Sequence, residues 1–356
     1  MASSTSCKEN SLVLGIETSC DETAVAVVEA GLKIRSNVVS SQIPIHQRFG
    51  GVVPEVASRQ HVKLIVRVLD QALRDADVTL DDISAVAVAY GPGLVGSLLV
   101  GISAAKAIAL ARGVPLIGVN HVLGHVYANL LAHEHLTLPA VCLTVSGGHT
   151  DILYVAPDHT YTVIGSTRDD AAGEAFDKVA RVLGLGYPGG PRIDEVSRNG
   201  NPKSIEFPRP MLDEDNLDFS FSGLKTAVIN HVHRLRQLDQ ELPISDIAAS
   251  FQQAVVDVLV GKITRAAEAK QVSTVILSGG VASNTQLRRD LKSECERRGL
   301  ALYYPPPSLC TDNAAMIACA GYFQYVAGRF SSLSLDAVPG LTLRESAMKE
   351  ERPGKP

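Results

Sequence analysis

The 356-residue sequence lacks several features that would assign it to common classes of protein. Its six cysteines include no C-x-x-C pair and no regular spacing, which argues against a disulfide framework and indicates reduced thiols. The first ten residues lack the apolar segment of a signal peptide, and the most apolar later stretch, residues 93–111, contains Lys106 and many small residues. We therefore expect a cytoplasmic protein with no membrane association.

Two nucleotide-binding motifs and an excess of positive charge are also missing. Neither G-x-x-x-x-G-K-[S/T] nor G-x-G-x-x-G occurs, which disfavours the P-loop and dinucleotide-binding classes. The net charge of −5 does not indicate general binding to nucleic acid, so any such role must depend on a local patch. With 46% hydrophobic and 20% charged residues, a chain of this length buries a large core and usually forms two domains.

Short β-branched runs alternate with helical patterns along the chain, which predicts an α/β fold. The residues at both ends differ from this pattern. Residues 1–10 predict a flexible tail, and residues 341–356, which end in a charged segment with two prolines, predict a disordered one. The strand-like runs are residues 11–16, 24–29, 85–90, 140–145, 152–155 and 274–277.

A weak internal repeat links two parts of the sequence. Residues 13–27 and 141–155 each have the pattern of a strand, a polar turn and a second strand, and each turn contains hydroxyls and acids or glycines. The repeat favours two similar lobes that face a cleft, with the turns directed at a phosphate; the alternative is two unrelated hairpins. A third glycine turn, residues 276–284, lies between a strand and a helix that starts near Thr285, an arrangement that cradles nucleotides.

His121 and His125 are four residues apart in a segment that predicts a helix with Asn120 as its N-cap. Side chains with this spacing lie on one helical face, so two imidazoles can share one metal ion. The alternative is two unrelated histidines on an amphipathic helix.

Asp312 is the best-placed candidate for a third ligand, because it lies in a polar turn before a helix of small residues. Two histidines and one carboxylate leave coordination positions open, and such a site can bind and polarise substrate oxygens. The alternative is that Asp312 is the N-cap of the following helix.

Five long motifs occur in an order that resembles the universal tRNA threonylcarbamoyladenosine transferase family, in its bacterial TsaD-type branch. The resemblance extends over about residues 12–340. The motifs are GIETSCDET at residues 15–23, GGVVPEVASR at 50–59, GPGLVG at 91–96, VSGGH at 145–149 and DFSFSGLKT at 218–226.

The resemblance implies the actin-like, sugar-kinase-like (ASKHA) fold, with two lobes around a nucleotide cleft. We expect residues 11–120 to form the first lobe and residues 121–340 the second, with a C-terminal helix that packs back on the first. The implied reaction transfers the threonylcarbamoyl group of threonylcarbamoyl-AMP to the N6 amine of the adenosine 3′-adjacent to the anticodon in tRNAs that read ANN codons, with release of AMP.

The resemblance also implies roles for single residues. His121, His125 and Asp312 match the family's ligands for one divalent metal per subunit, with iron expected first and zinc as the alternative. Apart from the resemblance, the position of Asp21 and Glu22 in the first hairpin turn makes them candidates to accept the amine proton; the alternative is that they only order the turn. The residues that match positions holding the adenylate are Thr144, Val145, Ser146, Gly147, Gly148, Asp177, Gly190, Asp194 and Asn284.

The implied partners are tRNA, a paralogous TsaB-type subunit, a TsaE-type ATPase and a separate synthase that supplies the adenylate. Two other activities are the alternatives. An ATP-dependent kinase could use the same fold. A metalloprotease, the glycoprotease activity historically attached to relatives, is disfavoured because its helix motif needs Glu after the first histidine, where this chain has Val122.

Overall fold

The structure is a computed structural model that describes residues 11–350, and these residues belong to two compact units. The first unit comprises the chain up to His135 and from Thr311 onward, and the second comprises Leu136–Cys310. Each unit contains a five-stranded mixed sheet with helices packed against it. The predicted α/β class is therefore confirmed. The tail predicted at residues 1–10 lies outside the described residues, as do residues 351–356.

The sheet of the first unit has the strand order β3-β2-β1-β4-β5, with antiparallel β1–β2 and β2–β3 pairs and parallel β1–β4 and β4–β5 pairs. Its strands are β1 Leu12–Glu17, β2 Glu22–Glu29, β3 Lys33–Ser41, β4 Ile83–Gly91 and β5 Leu116–Asn120. The helices of this unit are α1 Ile43–His46, α2 Pro54–Ala76, α3 Val95–Arg112, α4 His121–Ala132, α11 Ala314–Val326 and α12 Leu343–Glu350.

The sheet of the second unit has the strand order β10-β9-β6-β7-β8, with antiparallel β6–β7 and β7–β8 pairs and parallel β6–β9 and β9–β10 pairs. Its strands are β6 Ala140–Val145, β7 Thr150–Val155, β8 Tyr161–Ser166, β9 Thr274–Ser278 and β10 Ala301–Tyr303. The helices of this unit are α5 Ala172–Val182, α6 Gly189–Ser197, α7 Ser222–Gln237, α8 Ile244–Lys270, α9 Thr285–Arg298 and α10 Pro307–Cys310.

The two sheets have the same topology. In each, a strand at the centre forms an antiparallel hairpin with the next strand in the chain, a third strand extends the hairpin, and two later strands add in parallel on the other side. The hairpins β1–β2 and β6–β7 coincide with the predicted repeat at residues 13–27 and 141–155. The prediction of two lobes with similar folds is thus confirmed.

The unit boundaries differ from the predicted boundary between residues 120 and 121. Helix α4 and the chain from Thr311 onward belong to the first unit, because α11 packs against β1, β4 and α4. Small residues permit this close packing: a Cβ at Gly15 of β1 would lie 2.3 Å from the Ala314 carbonyl oxygen, and one at Gly321 would lie 2.4 Å from Cβ of Ala87. The hydrophobic pattern alone does not reveal which sheet such a helix covers.

Two helices, α3 and α8, are long and apolar enough to cross a membrane by length and composition. Both pack against neighbouring elements of their own units, α3 on β4 and α2, and α8 on α6 and α9. Leu98, Ile102 and Ala105 of α3 and Phe251, Val255 and Leu259 of α8 are buried. This packing is what the core helices of a soluble α/β protein show.

The chain between residues 341 and 350 is ordered, whereas the sequence predicted it as part of a disordered tail. Helix α12 starts with a capping box, in which the Glu345 carboxylate accepts from Thr342 N at 3.0 Å and Thr342 Oγ1 accepts from Glu345 N at 3.2 Å. Leu341 and Leu343 are buried. The Thr-x-x-Glu spacing was the sequence feature that could have predicted this helix.

Candidate metal and nucleotide sites

His121, His125 and Asp312 converge in the first unit. Nε2 of His121 lies 3.4 Å from Oδ1 of Asp312, and Nε2 of His125 lies 3.2 Å from the same oxygen. One ligand atom from each residue falls within 4.8 Å of the others, a spacing that fits one shared metal ion. Both histidines are buried. The structure therefore brings together the three residues that the sequence predicted as ligands.

The two histidines lie on the first two turns of α4, whose N-cap is Asn120 as predicted. Oδ1 of Asn120 accepts from the backbone N–H groups of Val122 and Leu123 at 2.9 and 3.3 Å. Asn120 is also the last residue of β5, so the sheet fixes the position of the start of α4. The rings of His121 and His125 are 4.9 Å apart, in an edge-to-face arrangement.

Asp312 precedes α11, but it is not the N-cap of that helix. The cap is Asn313, whose Oδ1 accepts from Met316 N at 3.1 Å. The alternative interpretation of Asp312 as a helix cap is therefore wrong, and its carboxylate faces the two imidazoles instead.

The charges around the triad favour a bound cation. Burial by itself lowers the pKa of His121, but the carboxylates of Glu17 and Asp312 outweigh it and hold that pKa well above its usual range. Burial raises the pKa of Asp312, yet His121 and His125 hold it well below its usual range. The carboxylates of Glu17 and Asp312 are therefore stabilised by a positive charge near the imidazoles. A divalent metal bound to neutral imidazoles would supply that charge.

His125 provides a direct test of whether a metal fits. Both of its ring nitrogens are buried and make no hydrogen bond to the described residues, although Nε2 lies 3.2 Å from Asp312. A buried polar atom with no partner is costly. A metal ion bound to Nε2 would remove that cost, and nitrogen and carboxylate donors suit iron or zinc. The residues therefore fit a metal.

Asp21 and Glu22 lie in the turn and at the start of β2, and both are largely buried. Burial, with further contributions from the charges of Asp312 and Asp21, raises the pKa of Glu22 to about 9. Its Oε1 accepts from Ser41 Oγ at 3.0 Å. At neutral pH Glu22 is therefore protonated when no cation offsets Asp312, and a protonated carboxyl cannot accept a proton.

A buried histidine that sequence analysis did not single out supports this turn. His61 of α2 donates from Nε2 to the Cys20 carbonyl oxygen at 3.0 Å, and its Nδ1 lies 2.8 Å from Thr23 Oγ1. Gln42 lies next to His61 and in turn contacts the buried His46. Because a carbonyl oxygen can only accept, the hydrogen of His61 is on Nε2. The contacts of His61 thus tie the turn between β1 and β2 to helix α2.

Thr144 and Val145, the last residues of β6 before the hairpin turn of the second unit, are buried. Thr144 Oγ1 lies 2.9 Å from Ser278 Oγ and therefore ties β6 to β9. Ser146 N donates to the His149 carbonyl oxygen at 2.9 Å, which closes the turn and leaves Gly147 and Gly148 exposed. Within the predicted segment, the exposed glycines rather than the Thr144 side chain can approach a ligand.

Four glycines of the second unit combine open space where a side chain would be with a backbone conformation that other residues can adopt. A Cβ at Gly147, Gly148, Gly190 or Gly280 would meet no atom within 4 Å, and their φ angles do not require glycine. By contrast, a Cβ at Gly173 would lie 2.4 Å from the Ser146 carbonyl oxygen. Close packing explains the glycine at position 173, but it does not explain the four open glycines. Open glycines let backbone N–H groups approach a bound anion closely.

The remaining predicted adenylate residues belong to the same unit and already make hydrogen bonds. Asp177 Oδ1 accepts from Gly189 N at 2.7 Å. Thr285 Oγ1 donates to the carboxylate of Asp194, whose two oxygens both lie 2.9 Å from it. Asn284 Oδ1 caps α9 by accepting from Leu287 N at 2.9 Å. These bonds connect α5, α6 and α9 into one support.

Gln252 is a second buried residue that sequence analysis missed. It accepts from Asn284 Nδ2 at 2.7 Å and donates to Ser197 Oγ and Gln286 Oε1, both at 2.9 Å. The Asn284 side chain is therefore occupied at both ends. At a ligand site, the role of Asn284 would be to hold the loop before α9. A glutamine within a long helix gives no sequence signal for such a contact.

Comparison with known families identifies a match over most of the chain. The family model described as tRNA N6-adenosine threonylcarbamoyltransferase matches residues 33–319. A protein of that name from Moorella thermoacetica is 57% identical over 331 residues, which cover 93% of this chain and 97% of the relative. One from Clostridium botulinum is 54% identical over 338 residues, covering 95% of this chain and 99% of the relative. One from Bacillus thuringiensis is 56% identical over 337 residues, covering 94% and 98%.

Solved structures show that the fold is shared more widely. Full-length HypF in a phosphate- and nucleotide-bound form matches 89% of this chain and 46% of its own length, with a TM-score of 0.62 and 14% identity. Component A of (R)-2-hydroxyglutaryl-CoA dehydratase from Acidaminococcus fermentans matches 89% of this chain and 99% of its own length, with a TM-score of 0.51 and 14% identity. These likenesses support the predicted actin-like, sugar-kinase-like fold and nothing about substrate.

Proposed function

This chain belongs to the tRNA N6-adenosine threonylcarbamoyltransferase family, and we propose that it performs the transfer by metal-assisted acyl chemistry. The substrate pair is threonylcarbamoyl-AMP and the adenosine 3′-adjacent to the anticodon in tRNAs that read ANN codons. A bond forms between the N6 nitrogen and the carbonyl carbon. The bond between that carbon and the phosphate oxygen breaks, the amine loses a proton, and AMP leaves.

The observation that carries this proposal is the triad of His121, His125 and Asp312. A divalent metal bound there, iron first and zinc as the alternative, would supply a Lewis acid for substrate oxygens. The buried His125 supports this role, because its Nε2 faces Asp312 Oδ1 at 3.2 Å in a geometry that a shared metal ion would fit. Asp312 and the imidazoles would fix the position of that charge, so that little reorganisation is needed during the reaction.

The second unit would hold the adenylate. The backbone N–H groups next to Gly147, Gly148 and Gly280 are proposed to face the phosphate, since these glycines have no side chain and no close neighbour. Asp177, held by Gly189 N, would accept from ribose hydroxyls. Positioning of the activated carbonyl is then a main catalytic contribution of the protein.

The proton acceptor is proposed to be Asp21 or Glu22. With a pKa of about 9, Glu22 is a weak candidate as long as the charge of Asp312 is not offset. Asp21 is in the same turn, and its carbonyl oxygen accepts from Gln42 N at 2.9 Å. Because AMP is a good leaving group, a strong general base is not required for the reaction.

The substrate tRNA follows from the family, whereas the other partners are proposals. We propose a paralogous TsaB-type subunit, a TsaE-type ATPase and a separate synthase for the adenylate. The six unpatterned cysteines support a reducing, cytoplasmic location.

The deciding experiment is a single-turnover reaction with synthetic threonylcarbamoyl-AMP, unmodified tRNA and the purified protein, with and without the proposed partners. We expect threonylcarbamoylated adenosine and AMP in stoichiometric amounts. His125→Ala should abolish the product, whereas His135→Ala, at an exposed histidine of the same unit, should not. Product formation by His125→Ala at the wild-type rate would contradict the metal-assisted mechanism. An ATP-dependent phosphorylated metabolite would instead favour a kinase, and peptide cleavage a protease.

A further inference from the structure

Glu17, the last residue of β1, is a buried acid next to the metal triad. Its exposed fraction is 0%, and it lies in the first unit with His121. Its Oε2 lies 2.8 Å from Nδ1 of His121, and its Oε1 accepts from the backbone N–H of Ser19. Among the described residues, its one ion-pair partner is His121. Within the described part of the chain, the Glu17 carboxylate therefore contacts His121 and the Ser19 N–H group and forms no ion pair with an arginine or lysine.

This contact decides which nitrogen of His121 can bind a metal. Oε2 of Glu17 lies within hydrogen-bond distance of Nδ1 of His121, so a hydrogen on Nδ1 has an acceptor at this position and Nδ1 is occupied by that contact. In a neutral imidazole the other nitrogen, Nε2, then has the free lone pair. Nε2 is the atom that lies 3.4 Å from Asp312. The tautomer that Glu17 favours is thus the one that the triad needs.

The two histidines of the triad differ in this respect. Nδ1 of His125 makes no hydrogen bond within the described part of the chain, whereas Nδ1 of His121 has Glu17 at 2.8 Å and Ser19 Oγ at 3.2 Å. The Nδ1 side of the His121 ring is therefore fixed by neighbouring groups, whereas the Nδ1 side of the His125 ring has no such partner among the described residues. An outer carboxylate partner of this kind orients a metal-binding histidine and makes it a stronger ligand.

We propose that Glu17 is a positioning residue, which holds His121 in the tautomer and orientation that bind the metal. The proposal rests on the proposed function, since it requires a metal at His121, His125 and Asp312. It goes beyond that function by assigning a role to a residue that touches neither substrate nor metal. The competing explanation is that Glu17 only fixes the hairpin turn through Ser19.

Glu17→Gln separates these explanations because an amide cannot replace both acceptors. If its oxygen stays on Ser19 N, its NH2 group faces Nδ1 of His121 and favours the tautomer with hydrogen on Nε2. If its oxygen turns to His121, the NH2 group meets the Ser19 N–H. Thr18→Val is the matched control: Thr18 is equally buried and adjacent in sequence, and its Oγ1 donates to the Ser97 carbonyl oxygen at 2.8 Å, away from the triad.

The experiment measures the dissociation constants of the full-length protein for Zn²⁺ and Fe²⁺ by competition with a chromophoric chelator under anaerobic conditions. We expect Glu17→Gln to weaken binding by about 10- to 100-fold and Thr18→Val to leave it unchanged. Circular dichroism and thermal unfolding check that both variants fold. Wild-type affinity in a folded Glu17→Gln protein overturns the inference. Failure of the wild-type protein itself to bind metal overturns the proposed function instead.

A second measurement keeps the inference testable if Glu17→Gln does not fold. Long-range ¹H–¹⁵N spectra of the zinc-loaded wild-type protein report the hydrogen and metal positions on each histidine ring. We expect His121 to show hydrogen on Nδ1 and metal on Nε2. Metal on Nδ1 of His121, or hydrogen on its Nε2, overturns the proposed role of Glu17.

Discussion

Asn313 caps helix α11 through a hydrogen bond from Met316 N to its Oδ1 at 3.1 Å, and this contact leaves the neighbouring Asp312 carboxylate to face His125 at 3.2 Å. Asn313 is fully buried, and its Nδ2 also donates to the Thr311 carbonyl oxygen at 2.8 Å. The side chain therefore orders the segment before the helix. Of these two adjacent residues, Asn313 caps the helix and Asp312 is available as a metal ligand.

Asn313→Ala should lower both stability and metal affinity. Loss of an N-cap costs about 1 kcal/mol of unfolding free energy, and Asp312 can then turn toward the exposed N–H groups of the helix. Urea unfolding and metal competition titration measure the two effects. Asn313→Ser retains a capping oxygen and should keep most of both properties. Full metal affinity in a destabilised Asn313→Ala protein would show that the cap does not position Asp312.

Alanine at the open glycines should separate ligand binding from folding. Gly148→Ala has room for its methyl group and should leave the melting temperature unchanged, but it should weaken binding of AMP by on the order of tenfold, equivalent to about 1.4 kcal/mol. Calorimetric titration with AMP measures the loss.

Gly173→Ala is the opposite control. Its methyl group would lie 2.4 Å from the Ser146 carbonyl oxygen, so the protein must shift to accept it. We expect a loss of about 1–3 kcal/mol in the unfolding free energy. If Gly148→Ala binds AMP as the wild-type protein does, the phosphate does not approach this turn.

His61 should make the protein less stable at acidic pH. Burial lowers its pKa below 6.5, so the unfolded chain takes up a proton before the folded protein does. Stability should therefore be full above pH 6.5 and should fall as the pH decreases from 6.5 toward the lower folded pKa, by at most about 1.4 kcal/mol per pH unit for one group.

Urea unfolding of the wild-type and His61→Gln proteins across this pH range measures the effect. The variant should show a shallower loss of stability toward acid, since Gln carries no titrating group. The exposed His135→Gln control should keep the wild-type slope. Equal slopes in the wild-type and His61→Gln proteins would contradict a neutral, buried His61.

Glu22 should have the opposite pH dependence in metal-free protein. Burial, Asp312 and Asp21 raise its pKa from 4.5 to about 9, so the folded state binds a proton that the unfolded state releases. Its contribution to stability should be full below pH 4.5 and should be lost as the pH rises from 4.5 toward about 9.

Glu22→Gln should remove this loss, and unfolding measured in the presence of a chelator tests it. Addition of a metal that binds the triad should also reduce the loss in the wild-type protein, because the cation offsets Asp312. A loss of equal size in the wild-type and Glu22→Gln proteins would show that Glu22 is ionised throughout.

Local patterns predicted the strands β1, β2, β4, β6, β7 and β9, both hairpins and the pair of histidines in the triad, whereas β3, β8 and β10 were not predicted. Alternating strands and turns identify β1–β2 and β6–β7, and the four-residue spacing identifies His121 and His125. The sequence alone did not assign the role of Asp312, because a carboxylate before a helix suits a helix cap and a metal ligand equally well. Only the cap formed by Asn313 decides between them.

The residues that the sequence did not reveal act through contacts between distant segments. Glu17 and His121 meet because β1 and β5 both border β4 in one sheet. Gln252 meets Asn284 because α8 packs on α9. The unit boundary differs from the predicted one because α4 packs against α11. The position of α11 on the sheet formed by the start of the chain agrees with the expected packing of a C-terminal helix on the first lobe. Local sequence patterns do not show which distant segments pack against one another.

The central claim is that His121, His125 and Asp312 bind the metal on which the transfer depends. Metal analysis of wild-type and Asp312→Asn proteins after anaerobic loading and dialysis, paired with single-turnover transfer by the same samples, tests it most directly. The account predicts about one metal ion per chain and full transfer for the wild-type protein, with loss of both in the variant. Equal metal content and equal transfer in the two proteins would contradict it.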